Sequence, residues 1–75
     1  IQLVNYIKLD KYVIKNKNNR NFMLLVKSII DYARSTDKKV ILEGVETYDD
    51  LNLAKQLSCD FVQGFYYRDR FKNVS

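Results

Sequence analysis

The sequence predicts an α/β fold in which strands and helices alternate in the order β-α-β-α-β. Three segments rich in β-branched, aromatic and aliphatic residues are separated by two segments with helical patterning. The middle strand segment is apolar at consecutive positions, which is typical of parallel strands buried on both faces. Helical crossovers between successive strands also select a parallel sheet. At 75 residues, the chain makes up one domain at most.

The first strand is predicted at residues 2–9, "QLVNYIKL", and a polar connection is predicted at residues 11–21. From Asn21 or Phe22 to about Ser35, apolar residues recur at steps of three and four, which predicts an amphipathic helix. The side chains expected to face the core are those of Phe22, Leu25, Val26, Ile29, Ile30 and Ala33.

The second strand is predicted at residues 39–43, "KVILE", because the segment is short and β-branched. Thr47 and Asp50 then resemble a capping box, which predicts that a second helix begins there. This helix is expected to run through residues 51–58, and the third strand is predicted at residues 59–67, "CDFVQGFYY". The residues of the second helix expected to face the core are Leu51, Ala54 and Leu57.

Composition and charge narrow the class of protein. The net charge of +4 comes mainly from the polar connection and the last residues, which favours a solvated surface, with weak attraction to phosphates left open. No apolar run approaches the ~20 residues that span a bilayer, and no signal-peptide pattern is present. Cys59 is the one cysteine and is expected to be a buried apolar residue. We expect a cytoplasmic setting without a membrane segment in this chain, whether or not a parent protein is membrane-anchored.

Polar residues lie at the end of each predicted strand. The carboxyl ends of parallel strands meet at one edge of a sheet, and the catalytic groups of β/α barrels lie there. The spacing therefore predicts one rim that carries Lys8 and Asp10 from the first strand, Glu43 and Glu46 from the second, and Gln63 with Gly64 from the third.

Glu43 directly follows the apolar residues 40–42, so its carboxylate must be paired or desolvated at a cost. This position favours a functional role for Glu43. Gln63 lies within an apolar strand and needs hydrogen-bond partners, which suits a site role and a structural role equally. Gly44 and Gly64 are expected to allow backbone positions that a side chain would block.

The other three polar positions each have a structural alternative. Lys8, at a strand end, either serves the site or extends into solvent. Asp10 is expected to support its loop by capping or by an ion pair, because aspartate is common where strands turn. Glu46 adjoins the predicted helix start, and in the structural alternative it stabilises that terminus.

Three motifs carry a resemblance to a known family. In this order and spacing, "YIKLDKYVI", "VILEGVET" and "CDFVQGFYY" resemble the last third of the EAL domain, the cyclic-di-GMP phosphodiesterase of bacterial signalling. The corresponding family patterns are K-I-D, A-E-G-V-E-T and Q-G-Y. The resemblance implies that residues 1–75 are the C-terminal portion of the domain and form a β-α-β-α-β fragment of its (β/α)8 TIM-like barrel. The chain departs from the family pattern in Leu42 for Ala, Ser58 for Gly, and the lack of Pro in residues 66–71.

The resemblance also implies roles for individual residues. Lys8 and Glu43 would be catalytic: Lys8 would lie near the scissile phosphate and the attacking water, and Glu43 would be the general base or the organiser of the metal-binding loop. Glu46 would support that loop. Gln63, followed by Gly64, would line the substrate pocket.

By the same resemblance, the complete domain uses Mg²⁺ or Mn²⁺ to hydrolyse one phosphodiester bond of cyclic di-GMP. Its metal ligands are expected on earlier strands, so we expect the chain alone to bind no metal and to be inactive. The expected partners are the remainder of the barrel or another copy of the chain, and no nucleic acid polymer. The main alternative is a degenerate EAL domain that binds the nucleotide or a protein without hydrolysis. A less favoured one is a nucleic-acid-binding piece that uses the basic connection.

Overall fold

The computed structural model describes residues 5–64 and the backbone of a short strand at residues 72–73. In chain order the elements are β1 (Tyr6–Leu9), α1 (Tyr12–Lys15), α2 (Arg20–Ser35), β2 (Lys39–Glu43), α3 (Tyr48–Gln56), β3 (Phe61–Gln63) and β4 (Lys72–Asn73). None of these described helices combines the length and the apolar character of a membrane span. The predicted α/β class is confirmed as a small fragment of helices and parallel strands.

The strands form one sheet in the order β1-β2-β3-β4. β1 and β2 pair in parallel, with Leu9 opposite Leu42. β2 and β3 also pair in parallel, with Glu43 opposite Gln63. β4 pairs with β3 in the antiparallel direction, which the sequence analysis did not predict. The parallel part of the sheet therefore agrees with the prediction, and β4 is an addition to it.

One face of the sheet packs against the helices and forms the core. Val40, Leu42 and Val62 are fully buried on this face. Ile41 points to the opposite face and is only 1% exposed, so β2 is buried on both faces, as predicted. The other members of the core cluster are Leu9, Val13, Met23, Val26, Ile30, Ala33, Val45, Ala54, Leu57 and Cys59.

Helix α2 begins at Arg20, slightly earlier than predicted, because the side chain of Asn19 accepts a hydrogen bond from the Phe22 N–H at 3.1 Å. The prediction that Leu25 faces the core was wrong, since Leu25 is 58% exposed. Successive helical residues are about 100° apart, so a buried stripe that includes Val26 turns its neighbour Leu25 toward the surface. The buried residues of α2 are Met23, Val26, Ile30 and Ala33.

Helix α3 begins with the predicted capping box. Thr47 Oγ1 accepts from the Asp50 N–H at 3.1 Å, and Asp50 Oδ2 accepts from the Thr47 N–H at 3.2 Å. The helix ends at Gln56, before the predicted end, and Ser58 adopts the left-handed conformation, with φ of 60°, that commonly follows a helix. The residues predicted to face the core are buried or partly buried: Leu51, Ala54 and Leu57.

Strands β1 and β3 are shorter than the predicted ones in the part of the chain that the structure describes. Strand β1 begins at Tyr6, and residues 2–4 of the predicted strand lie outside the described residues. Residues 59–60 precede β3 and are not part of the strand, and residues 65–67 of the predicted strand lie outside the described residues. The residues 66–71, which lack the family's Pro, lie outside them as well.

Asp60 links the amino ends of β2 and β3 by hydrogen bonds. Its Oδ2 accepts from the Val40 N–H at 2.8 Å, its own N–H donates to the Val40 carbonyl oxygen at 2.9 Å, and its Oδ1 lies 3.2 Å from Arg34 Nη1. The neighbouring Cys59 is free and buried, as predicted. Burial, together with the Asp60 charge, raises the pKa of the Cys59 thiol from 9.0 to about 11, although Arg34 acts in the opposite direction.

Candidate functional site

The carboxyl ends of β2 and β3 bring two candidate residues together. Glu43 is the last residue of β2 and lies directly opposite Gln63, the last residue of β3. Side chains alternate between the two faces along a strand, so Glu43 and Gln63 share the face of Ile41, which is not the face that packs on the helices. Both side chains are therefore available to a site outside the helix-covered core.

A pocket of about 370 Å³ opens at this rim of the sheet. Most of its lining was singled out from the sequence, but Lys8 and Glu46 are not part of it. The structure therefore brings together four of the six predicted site residues and leaves two outside. The residues that line the pocket are Asp10, Lys11, Glu43, Gly44, Gln63 and Gly64.

Lys8 lies beside the pocket rather than in its lining. It pairs with Ile41, which is two residues before Glu43 on β2, and its side chain is exposed. Neighbouring strands are ~4.8 Å apart and rise ~3.3 Å per residue, so the Cα atoms of Lys8 and Glu43 are about 8 Å apart. Because of the alternation along the strands, the two side chains lie on the same face of the sheet.

Asp10 caps a helical turn at the edge of the pocket. Its Oδ1 accepts from the Tyr12 N–H at 2.9 Å, and its carbonyl oxygen accepts from the Val13 N–H at 2.9 Å. These bonds begin α1, which lies within the segment predicted as an irregular connection. Asp10 therefore orders the chain that leaves β1, in keeping with a loop-supporting role.

Two glycines let the loops at this rim approach each other closely. Gly44 has a φ of +81°, which L side chains rarely adopt, and a Cβ there would collide with the Cβ of Lys11. A Cβ on Gly64 would overlap the backbone of Val45. The Val45 N–H donates to the carbonyl oxygen of Gln63 at 3.1 Å, which joins the same two segments. A side chain at either glycine would push the walls of the pocket apart.

Glu46 is exposed and lies outside the pocket lining. Its backbone is nevertheless held in place, because its N–H donates to Asp50 Oδ2 at 2.9 Å. The structure thus places Glu46 in the loop between β2 and α3, three residues after Glu43 and outside the lining of the pocket.

Gln63 carries an unsatisfied polar atom. Its Oε1 is buried and has no hydrogen-bond partner among the described residues. Most buried polar atoms in proteins have a partner, and an unmade hydrogen bond is costly. Since Gln63 also lines the pocket, a ligand group that approaches this oxygen would regain that hydrogen bond or coordinate to it.

The chemistry of the rim suits part of a divalent-cation site. The carboxylates of Asp10 and Glu43 and the unpaired Oε1 of Gln63 are oxygen donors, the ligand type that Mg²⁺ and Mn²⁺ prefer. Within residues 5–64, however, no group of three His, Cys, Asp or Glu side chains is placed to hold a metal ion. The described residues could therefore supply some of the oxygen ligands of a divalent cation, but not all of them.

Lys11 and Gly44 line the pocket, although the sequence did not predict either residue there. Lys11 was assigned to the solvated basic connection, yet it lines the pocket with its Cβ against Gly44. Its position in the sequence could have indicated this place, because Lys11 follows the end of the first predicted strand by two residues. Its contact with Gly44 depends on a left-handed bend, which the sequence alone does not locate.

Comparison with known proteins identifies the family. The EAL domain model matches residues 3–69, a range that includes all three motifs. The biofilm architecture maintenance protein MbaA of Vibrio cholerae is 31% identical over 70 residues, which cover 88% of this chain and 9% of the relative. The oxygen sensor protein DosP of Escherichia coli is 28% identical over 65 residues, which cover 85% of this chain and 8% of the relative.

An uncharacterized protein of Azorhizobium caulinodans is 31% identical over 65 residues, which cover 85% of this chain and 9% of the relative. The chain thus spans only 8% to 9% of the length of these curated relatives. No solved structure matches it. The family match spans nearly the whole chain and confirms the resemblance seen in the motifs, so the chain belongs to the EAL-domain family.

Proposed function

We propose that this chain is the C-terminal part of an EAL barrel that hydrolyses one phosphodiester bond of cyclic di-GMP to give the linear dinucleotide. The observation that supports the proposal most directly is the pocket at the carboxyl ends of β2 and β3, which has Glu43, Gln63 and Gly64 in one lining. The activity is assigned to the complete domain, because the described residues provide only part of a metal-ligand set.

The proposed chemistry divides between two sides of the scissile phosphate. Glu43 accepts a proton from the attacking water, whose oxygen bonds to phosphorus while the bond from phosphorus to the leaving ribose oxygen breaks and that oxygen takes up a proton. Lys8, on the same face of the sheet, adds positive charge beside the phosphate. Gln63 presents its buried Oε1 to the bound nucleotide or ion.

We also propose that the complete domain depends on Mg²⁺ or Mn²⁺. Gln63 would offer its unpaired Oε1 to the ion, and the other ligands would come from other parts of the domain. Such an ion would polarise a phosphoryl oxygen and would lower the pKa of the water bound to it. The residues of this chain then orient the nucleotide and hold the proton that leaves the water.

The substitution Glu43→Gln in the complete domain tests this function. Glutamine keeps the shape and one acceptor oxygen but can neither take a proton nor carry the charge. We expect kcat to fall by about 10²-fold or more, as the loss of general acid-base help does, while the Kd for cyclic di-GMP changes much less. The measurements are kcat, Kd and the melting temperature of the same preparation.

The control for this test is Asp49→Asn, because Asp49 is an exposed acidic residue outside the pocket lining. We expect it to leave kcat unchanged. A folded Glu43→Gln domain with unchanged kcat would remove Glu43 from the reaction. A normal domain that binds cyclic di-GMP without hydrolysing it would instead favour the degenerate, non-catalytic alternative.

We propose that the partner of this chain is the rest of its own barrel. Among the described strands, β1 forms an edge of the sheet, and α2 exposes the large apolar side chains of Leu24, Leu25 and Tyr32. Edge strands and apolar surface favour pairing with another segment or another copy. A cytoplasmic location is part of the proposal and agrees with the free thiol of Cys59.

A further inference from the structure

Asp50 differs from the other charged residues that the structure describes, because its side chain is buried, with 7% exposure. A buried carboxylate is costly unless hydrogen bonds satisfy it. Oδ2 of Asp50 accepts from the backbone N–H of Glu46 at 2.9 Å and from that of Thr47 at 3.2 Å. Hydrogen bonds to an ionised acceptor are stronger than neutral ones. The carboxylate therefore holds the backbone just before α3.

Helix capping explains only one of these two hydrogen bonds. In a capping box, the side chain of the third helical residue accepts from the N–H of the N-cap residue, which here is Thr47. Glu46 precedes the N-cap and lies outside the helix. Its nitrogen nevertheless lies closer to the Asp50 oxygen than the nitrogen of Thr47 does. The second hydrogen bond fixes the loop rather than the helix.

The loop that joins β2 to α3 is also held nearer to the strand. Val45 is 2% exposed, and its N–H donates to the carbonyl oxygen of Gln63 at 3.1 Å. Gly44 packs in its left-handed conformation against Lys11. With these two residues fixed from the strand side, Asp50 fixes the loop from the helix side. The backbone is thus tied at both ends of the segment that carries the two glutamates.

We propose that Asp50 is a positioning residue for the hydrolytic reaction, which holds the Glu43–Glu46 loop so that both glutamates keep their places relative to Gln63. The inference rests on the proposed function. Asp50 acts through the loop backbone and is not part of the pocket lining, so it does not contact the reacting atoms. A displacement of about 1 Å in such a support is enough to lower a rate by about 10²-fold.

Comparison of Asp50→Ala with Thr47→Ala in the complete domain tests this inference. Both substitutions remove hydrogen bonds of the capping box, but only Asp50→Ala releases the N–H of Glu46. We expect Asp50→Ala to lower kcat by about 10- to 100-fold with a smaller change in KM. Thr47→Ala should keep kcat close to that of the normal domain, at a temperature well below both melting points.

A structural readout accompanies the kinetics. Hydrogen exchange of the Glu46 amide should become faster in Asp50→Ala and stay slow in Thr47→Ala. Asp50→Asn keeps an acceptor oxygen in the same place, so it should regain part of the lost kcat and part of the protection at Glu46.

Equal losses of kcat in the Asp50→Ala and Thr47→Ala domains would mean that only helix stability matters, which would overturn the inference. An unchanged kcat in folded Asp50→Ala would overturn it too. If Asp50→Ala does not fold, Asp50→Asn decides, and unchanged kcat together with faster exchange of the Glu46 amide would overturn the inference. A normal domain without any hydrolysis would reject the proposed function, while Glu46 exchange would still report whether Asp50 holds the loop.

Discussion

The two ends of the parallel strands differ in how their polar side chains are satisfied. At the amino end, the carboxylate of Asp60 accepts from the Val40 N–H and pairs with Arg34. At the carboxyl end, Oε1 of Gln63 is buried without a partner among the described residues and lies at a pocket. Polar groups that find partners within the fold stabilise it, whereas an unsatisfied one needs a partner from outside. The contrast separates a structural network from a candidate site.

The largest effect is expected from Gly64→Ala, which tests how tightly the carboxyl end is built. The new Cβ would overlap the backbone of Val45, and backbone cannot move aside as a side chain does. We expect the complete domain to lose about 3 kcal/mol of unfolding free energy, the upper part of the range for overpacking, and to lose turnover. Chemical denaturation and kcat measure both. A domain with unchanged stability would show that this rim is loosely packed.

The substitution Asp60→Asn tests the amino end. Asparagine keeps the shape of the side chain but lacks the negative charge. That charge pairs with Arg34 and strengthens the hydrogen bond that Asp60 accepts from the Val40 N–H. We expect a loss of about 2 kcal/mol in unfolding free energy, because hydrogen bonds to charged groups are the stronger ones, with kcat unchanged. Asp31→Asn, at an exposed position of α2, is the control and should change neither the unfolding free energy nor kcat. A lower kcat in folded Asp60→Asn would erase the contrast between the two ends.

Cys59 gives the amino end a dependence on pH. Its thiol pKa is raised from 9.0 to about 11, so the unfolded chain loses this proton first as the pH rises. The stability that the protonated thiol contributes is complete below pH 9 and is lost as the pH rises toward 11. By linkage, about 1.4 kcal/mol should be lost by pH 10. Chemical denaturation of the normal domain and of Cys59→Ala at pH 8 and 10 isolates the contribution of the thiol to the unfolding free energy. Equal pH dependence of the unfolding free energy in both domains would contradict this prediction.

The smallest effect is expected from Ser58→Gly, at the turn that leads into β3. Ser58 has a φ of 60°, a conformation that costs free energy for residues with a Cβ. Glycine adopts it freely, so we expect a gain of about 0.5–1 kcal/mol in unfolding free energy and no change in kcat. Ser35→Gly, within the last turn of α2, is the matched control and should destabilise. A loss of stability in Ser58→Gly would show that the serine side chain has an unrecognised role.

Features of the fold that depend on local pattern were predictable from the sequence. The apolar run 40–42 predicted a strand buried on both faces, and each of its residues is at most 1% exposed. Thr47 and Asp50 predicted a helix start, because a capping box needs only residues that are three apart in the chain. In the candidate site, the placement of Glu43 opposite Gln63 follows from the ends of adjacent parallel strands.

Features that depend on contacts between distant segments were not predictable. Leu25 and Met23 both belong to apolar patterns of α2, and only packing against the sheet decides that Met23 is buried. Lys11 contacts Gly44 across the pocket, and Oε1 of Gln63 is buried without a partner among the described residues. Differences of about one ångström decide such contacts, and periodicity carries no information on that scale.

The register of the sheet has a consequence for how the chain folds. Positions 6 and 39 pair across 33 residues, whereas positions 41 and 61 pair across 20. Closing the longer loop costs about 0.4 kcal/mol more in chain entropy, so the β2–α3–β3 unit has the lower barrier to nucleation. Pairings this far apart in sequence make folding slow compared with that of helical bundles. We therefore expect the unit that contains Glu43, its loop and Gln63 to assemble first, and β1 to bring Lys8 to them afterwards.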